Sequence, residues 1–112
     1  MNISIKTPAQ FKNVPWKNGK GKTTELAINS GGNLTDFDWR LSMAEVTEPC
    51  LFSDFAGYQR NLILIAGQQL QLCHDDQHID HLTKVLDYAA FSGNCSTYAR
   101  LPSGPIVDFN II

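Results

Sequence analysis

The sequence predicts an all-β chain folded as a jelly-roll β-barrel with few or no helices. Three observations lead there. Apolar and polar residues alternate with a period of two in segment after segment. Clusters of glycine, proline, serine and asparagine punctuate those segments at spacings of roughly 8 to 12 residues. The i, i+3, i+4 recurrence of an amphipathic helix is almost absent. Short strands at such spacing build barrels or double sheets rather than βαβ units. With 112 residues the chain can bury a core without disulfides or a structural metal and is too short for two ordinary domains. A single domain over residues 1–112 is expected.

In chain order, residues 2–6 form a first strand with Ile3 and Ile5 on one face. Thr7 is suited to cap a helical turn over residues 8–12, because Pro8 lacks the N–H that a helix start leaves unpaired. Residues 24–28 set Leu26 and Ile28 on one side of a second strand. The longest alternation covers residues 37–46: Phe37, Trp39, Leu41 and Met43 fall on one face, read as core, and Asp38, Arg40 and Ser42 on the other, read as exposed. Residues 61–66 are largely apolar, as in a strand covered on both sides. Gly67-Gln68 then reads as a hairpin turn into residues 70–73. After a polar turn at Asp75-Asp76, runs at 85–88, 97–101 and 106–111 complete the set, separated by Ser92-Gly93-Asn94 and Pro102-Ser103-Gly104-Pro105.

Composition narrows the function. Hydrophobic residues make up 43% and charged residues 18%, which describes a folded chain with a modestly charged surface. A net charge of -2 gives no electrostatic footprint for nucleic acid. Lys12, Lys17, Lys20 and Lys22 form the one basic cluster and read as a solvated loop. The apolar run 62–66 is far short of the roughly 20 residues that span a bilayer, and the N-terminus has no basic region followed by a long apolar stretch. A soluble, cytoplasmic protein without membrane partners is expected. Cys50, Cys73 and Cys95 are odd in number and widely spaced, so free thiols are expected rather than a disulfide framework.

Three motifs invite chemistry and fall short of it. Asn18-Gly19-Lys20-Gly21-Lys22-Thr23 looks like a phosphate loop, yet the position five before Gly21 is Trp16 instead of glycine, and a strand follows instead of a helix. The segment from Cys73 to His81 holds three histidines, a thiol and three aspartates, enough for zinc or nickel by composition. It reads instead as an exposed hairpin turn, and no metal or other cofactor is expected. No nucleophile elbow, serine or cysteine triad, or pair of carboxylates divided between acid and base stands out, so no catalytic residue is assigned. Cys50 has Glu48 and Asp54 beside it, which oppose the thiolate.

Taken in order, Val14-Pro15-Trp16-Lys17-Asn18-Gly19 with Thr23 and Glu25, the block from Phe37 to Ala44, Phe52-Ser53 to Gly57 with Arg60, Phe91-Ser92-Gly93, and Gly104-Pro105 with Asp108-Phe109-Asn110 resemble the HutD/Ves family. The resemblance covers nearly the whole chain. It implies a cupin-like β-barrel in a cytoplasmic bacterial protein. One branch is linked to histidine utilisation and to the intermediate N-formylglutamate, the other to stress. Members continue past the Asp-Phe-Asn block with a second β-rich half, whereas this sequence stops at Ile112. A half-length jelly roll exposes an edge strand or an apolar face, and pairing with a second copy removes both, so a homodimer is expected.

The candidate ligand residues are Arg60, Trp16, Asn18, Glu25, Trp39, Phe109 and Asn110. Arg60 precedes the apolar strand, and its planar fork of donors suits a carboxylate; the competing reading is an ion pair with Asp54 or Glu48. Trp16, Trp39 and Phe109 offer flat apolar walls, although such residues are more often core, and Trp39, on the apolar face of its strand, reads first as core. Asn18, Glu25, Arg40 and Asn110 offer orienting polar groups. The resulting expectation is a metal-independent protein that binds an acidic metabolite such as N-formylglutamate. The alternatives are a cupin enzyme of isomerase or lyase type, with Glu25 or a histidine as general base, and a stress-associated interaction protein.

Overall fold

The computed structural model describes residues 3–5, 7–29, 31–33, 36–52 and 55–112; Asn2, Lys6, Ser53 and Asp54, which the sequence reading used, lie outside them. Among the described residues there are eleven strands and one short helix. The all-β prediction holds. A larger sheet orders β1 (Ile3–Ile5), β3 (Gly21–Asn29), β4 (Arg40–Val46), β11 (Ile106–Ile111), β6 (Gln59–Ala66) and β9 (Tyr88–Ser92), with β2 (Lys12–Pro15) sharing the β3 edge with β1. A smaller sheet orders β5 (Cys50–Leu51), β10 (Thr97–Arg100), β7 (Leu70–His74) and β8 (His78–Leu82). Every pairing is antiparallel. From β4 onward the chain crosses repeatedly between the two sheets, the connectivity of a jelly roll. No helix among the described residues is long and apolar enough to cross a membrane.

The core lies between the sheets. Val46, Leu62, Leu64 and Ile106 from the larger sheet meet Leu70, Leu72 and Ala99 from the smaller, all essentially without solvent contact. A second cluster joins Ile28, Phe37 and Ile112, with Phe55 and Tyr58 packed on it. There the Phe37 and Tyr58 rings stack 4.3 Å apart and the Tyr58 hydroxyl donates to the Phe37 carbonyl at 2.7 Å.

Five local readings are corrected. The inward face of β4 is Arg40, Ser42, Ala44 and Val46, while Leu41 and Met43 face outward and stay half-buried. Alternation fixes which residues share a face, not which face is inside, and the polar set points in because it lines a cavity. In β3 a bulge at Leu26 changes the phase: Glu25 pairs with Ser42 and Ile28 with Arg40, so both point inward and Leu26 is left outside. Gly67 does not close a hairpin, since β6 pairs with β11 and β9 while β7 pairs with β10 and β8; the turn carries the chain from one sheet to the other. The run at 85–88 is mostly turn, with Leu86 at φ 77°, and the strand starts at Tyr88. The helical turn is a 3-10 helix over Pro8–Gln10, with the Thr7 N–H donating to Gln10 Oε1 at 2.9 Å, and β2 begins at Lys12.

Candidate functional site

The inner face of the larger sheet carries three polar rows. Thr23, Ala44 and Asp108 pair across β3, β4 and β11, and Glu25, Ser42 and Asn110 form the next row. The third holds Arg40, whose backbone exchanges hydrogen bonds of 2.9 and 3.0 Å with Ile112, and Arg60 beyond it on β6. Together with the loop 16–19 and β5 these rows enclose a cavity of about 590 Å3. That volume fits a small metabolite.

The β2–β3 hairpin builds one wall. Gly19, at φ 72°, turns the chain so that its N–H donates to the Trp16 carbonyl at 3.0 Å, and the Asn18 side chain accepts from the Lys20 N–H at 2.9 Å. Trp16 leans inward: its indole N–H donates to Thr23 Oγ1 at 2.8 Å and its ring meets the edge of Phe52. Gly21 lies beneath that ring, where a Cβ would strike the Glu45 carbonyl and the indole. The segment is therefore a hairpin loop packed over a cavity and has no helix behind it.

Arg60 is 5% exposed, and its guanidinium carbon stands 5.1 Å from the ring centres of Phe55 and Phe91 and 5.9 Å from that of Phe52. Three ring faces offset part of the loss of water by cation–π attraction and fix the plane of the fork. Phe55 is held over it by its loop: the Phe55 N–H donates to the Gly93 carbonyl at 3.2 Å, and the Gly93 N–H to the Tyr58 carbonyl at 2.7 Å. Gly93 has no room for a side chain, because a Cβ would strike the Phe55 carbonyl. This explains physically the glycine of the Phe91-Ser92-Gly93 block. The alternative pairing of Arg60 with Asp54 falls outside the described residues.

Arg40, expected on the exposed face, is 6% exposed, and its Nε donates to Glu25 Oε1 at 3.2 Å in a buried ion pair. Glu25 is set in the inward row and holds Arg40 against the cavity without itself lining it. Asp108 is fully buried, and its Oδ1 accepts from Asn110 Nδ2 at 2.6 Å. Burial pushes its carboxyl up to about 7, against the pull of the Asn110 hydrogen bond and of the Arg60 charge. Burial also raises the Cys50 thiol, aided by Asp108 and opposed by Lys20.

Of the candidate residues, Arg60, Trp16, Asn18 and Asn110 come together on the cavity wall, and Glu25 stands behind it. Trp39 and Phe109 do not line it. Phe109 lies between Asp108 and Asn110 on one strand, so alternation turns it to the outer face, opposite Met43 and Ile63. Trp39 is half-buried just before Arg40, the residue that takes the inward position. The sequence reading missed Asp108, Ser42, Phe52 and Phe55 as lining residues. The signal for Asp108 was present, since it is two residues from Asn110 on a strand and must share its face.

The segment from Cys73 to His81 is two strands around a turn, in which Asp75 and Asp76 take φ values of 52° and 56°. His74 is buried, contrary to the reading of an exposed turn; its Nδ1 meets Thr97 Oγ1 at 2.8 Å and its Nε2 meets Asp80 Oδ2 at 2.9 Å. None of the three histidines reaches the cavity. The cavity wall itself has no histidine, cysteine or glutamate, and no metal-holding group of three such side chains occurs among the described residues. That donor set does not fit the metal that many cupins carry.

The sequence model of the HutD family matches residues 8–112. The chain belongs to the HutD family. It is 42% identical over 102 residues to an uncharacterised 21.2 kDa protein from the hutC 3′ region of Pseudomonas putida, which covers 91% of this chain and 53% of that one. HutD from Pseudomonas fluorescens SBW25 superposes with a TM-score of 0.85 at 40% identity, over 97% of this chain and 59% of the other. This HutD-family chain thus spans about half the length of the curated relatives it matches. An RmlC-like cupin from Shewanella frigidimarina gives a TM-score of 0.66 at 13% identity over 99% of this chain and 92% of that one, a likeness of fold alone. The fold is cupin-like.

Proposed function

We propose that the protein is a metal-independent binding protein for a small acidic metabolite, N-formylglutamate being the candidate suggested by its family, with a sensing or buffering role. The observation that carries this reading is Arg60, a buried guanidinium fixed in plane by Phe52, Phe55 and Phe91 on the wall of a cavity of about 590 Å3. A carboxylate meeting that fork gains charge-assisted, bidentate hydrogen bonds in a place where water competes little. Trp16 and Phe52 offer apolar cover for the ligand's carbon chain, and Ser42, Asn18 and Asn110 offer orienting groups.

The test is a thermal-shift titration with N-formylglutamate, glutamate and urocanate on wild type and Arg60→Ala. At 100 times its dissociation constant a ligand bound only by the native state stabilises by about 2.7 kcal/mol. For a domain of this size that raises Tm on the order of 10 °C. Saturable stabilisation of wild type and none of a folded Arg60→Ala is expected. Equal shifts in both would overturn the assignment.

A second reading, a cupin enzyme acting on a small polar substrate, draws on Asp108 and not on Glu25. A cavity carboxyl raised to about 7 has the profile of a general acid or base, whereas Glu25 is committed to Arg40. Turnover of a bound ligand, lost in Asp108→Asn, would favour it.

A further inference from the structure

Asp108 poses a question that binding at Arg60 alone leaves unanswered. It is fully buried, it lines the cavity, and among the described residues no hydrogen-bond partner reaches its Oδ2. A buried polar atom left unpaired forfeits its hydrogen bond to water with nothing in return. Its other oxygen accepts from Asn110 Nδ2 at 2.6 Å, so a proton on the carboxyl resides on Oδ2.

We propose that Asp108 is a second anchor: protonated, it donates through Oδ2 to the far acceptor of a ligand whose near carboxylate lies on Arg60, so that uptake of a two-ended anion carries one proton into the barrel. The inference rests on the reading of Arg60 given above. Asp108 faces Leu64 across the β11–β6 pairing, and Arg60 lies four residues back along β6, with the Asn110 row between them. At about 3.4 Å per residue the two rows are about 14 Å apart along the strand. An anion with an acceptor at each end, such as a dicarboxylate or an acylated amino acid, bridges that span once the Arg60 side chain and two hydrogen bonds are counted; a single small carboxylate does not.

The surroundings set the direction of the proton linkage. The charge that acts on Asp108 is Arg60 on β6; Arg40 on β4, paired with Glu25 on β3, and Lys17 of the loop line the same cavity. Cys50 on β5 stays a thiol because burial raises it further from neutrality. His74 on β7 is held by Thr97 and Asp80 outside the cavity. The free carboxyl, raised to about 7, holds its proton on the acid side of neutrality and loses it above. A second anion at Oδ2 favours the protonated form still more, so binding draws a proton in wherever Asp108 has lost it. Affinity is then level below neutrality and falls by up to tenfold per pH unit above it.

The experiment is calorimetric titration of the whole chain with N-formylglutamate from near pH 6 to near pH 9, repeated at each pH in two buffers of different ionisation enthalpy to count protons, with acetate as a one-ended control. Wild type should lose affinity above neutrality and take up close to one proton per ligand there; acetate should bind far more weakly. Asp108→Asn, which cannot exchange a proton, should show neither the decline nor the uptake. Should that variant fail to fold, the buffer-dependent proton count on wild type decides alone. Binding that needs Arg60 but is level or rising with pH overturns the role of Asp108 and leaves that of Arg60 standing. No binding near pH 6 overturns both.

Discussion

Arg60 and Asp108 are both carried into the barrel by strands whose alternation places them there, and each meets burial differently. The guanidinium remains charged and is compensated by three phenylalanine rings. The carboxyl responds by keeping its proton. Because the folded carboxyl sits near 7 and an ordinary one near 3.8, the fold binds that proton more tightly than the unfolded chain does. The stability so contributed is complete below the unfolded value and drains away as pH rises through about 7, a loss on the order of 4 kcal/mol. Urea unfolding near pH 5 and near pH 8 should show about 2 to 3 kcal/mol of it. Asp108→Asn should gain on wild type at the higher pH, and an equal pH response in the two proteins would contradict the assignment. At this scale the sequence was legible in part. Residue types suited to a carboxylate ligand picked out Arg60, Trp16, Asn18 and Asn110, all of which reach the wall. Phe109 was grouped with Asn110, although adjacent strand residues face opposite ways.

Among the elements, the loop 55–58 and the turn at Gly93 decide how firmly Arg60 is held. Gly93 presses against the Phe55 carbonyl with no room for a Cβ, while Gly57 donates to Asn94 Oδ1 at 2.9 Å. Gly93→Ala should push the loop away, destabilise the protein by about 1–3 kcal/mol and weaken carboxylate binding as Phe55 leaves the guanidinium. Denaturation and the same ligand titration check both effects; unchanged affinity would mean that Phe55 does not orient Arg60. Most strands were legible from period-two patterning. Three features were not. The bulge at Leu26 changes phase in a way no alternation count anticipates. The strand β8 is written in polar and charged residues, as suits an edge, and was read as turn. The inward face of β4 is polar, because a cavity inverts the rule that the apolar face is the buried one.

For the molecule as a whole, that inversion leaves Leu41, Met43, Ile63, Val107 and Phe109 half-buried on the outer face of the larger sheet, with Met43, Phe109 and Ile63 abreast across three strands. We propose that the expected homodimer forms through this face. Light scattering should then give about twice the 12.5 kDa chain mass, and Phe109→Lys should shift the population toward the single chain. A monomeric mass across micromolar concentrations would contradict it. The central claim concerns the inner face, and amide and side-chain NMR during titration with N-formylglutamate tests it most directly. Saturable shifts at the Arg60 Nε–H, and at the Trp16 indole N–H and the Asn110 side-chain amide, the latter two absent in Arg60→Ala, are predicted. Shifts confined to the outer face, or none at saturating ligand, would contradict the account.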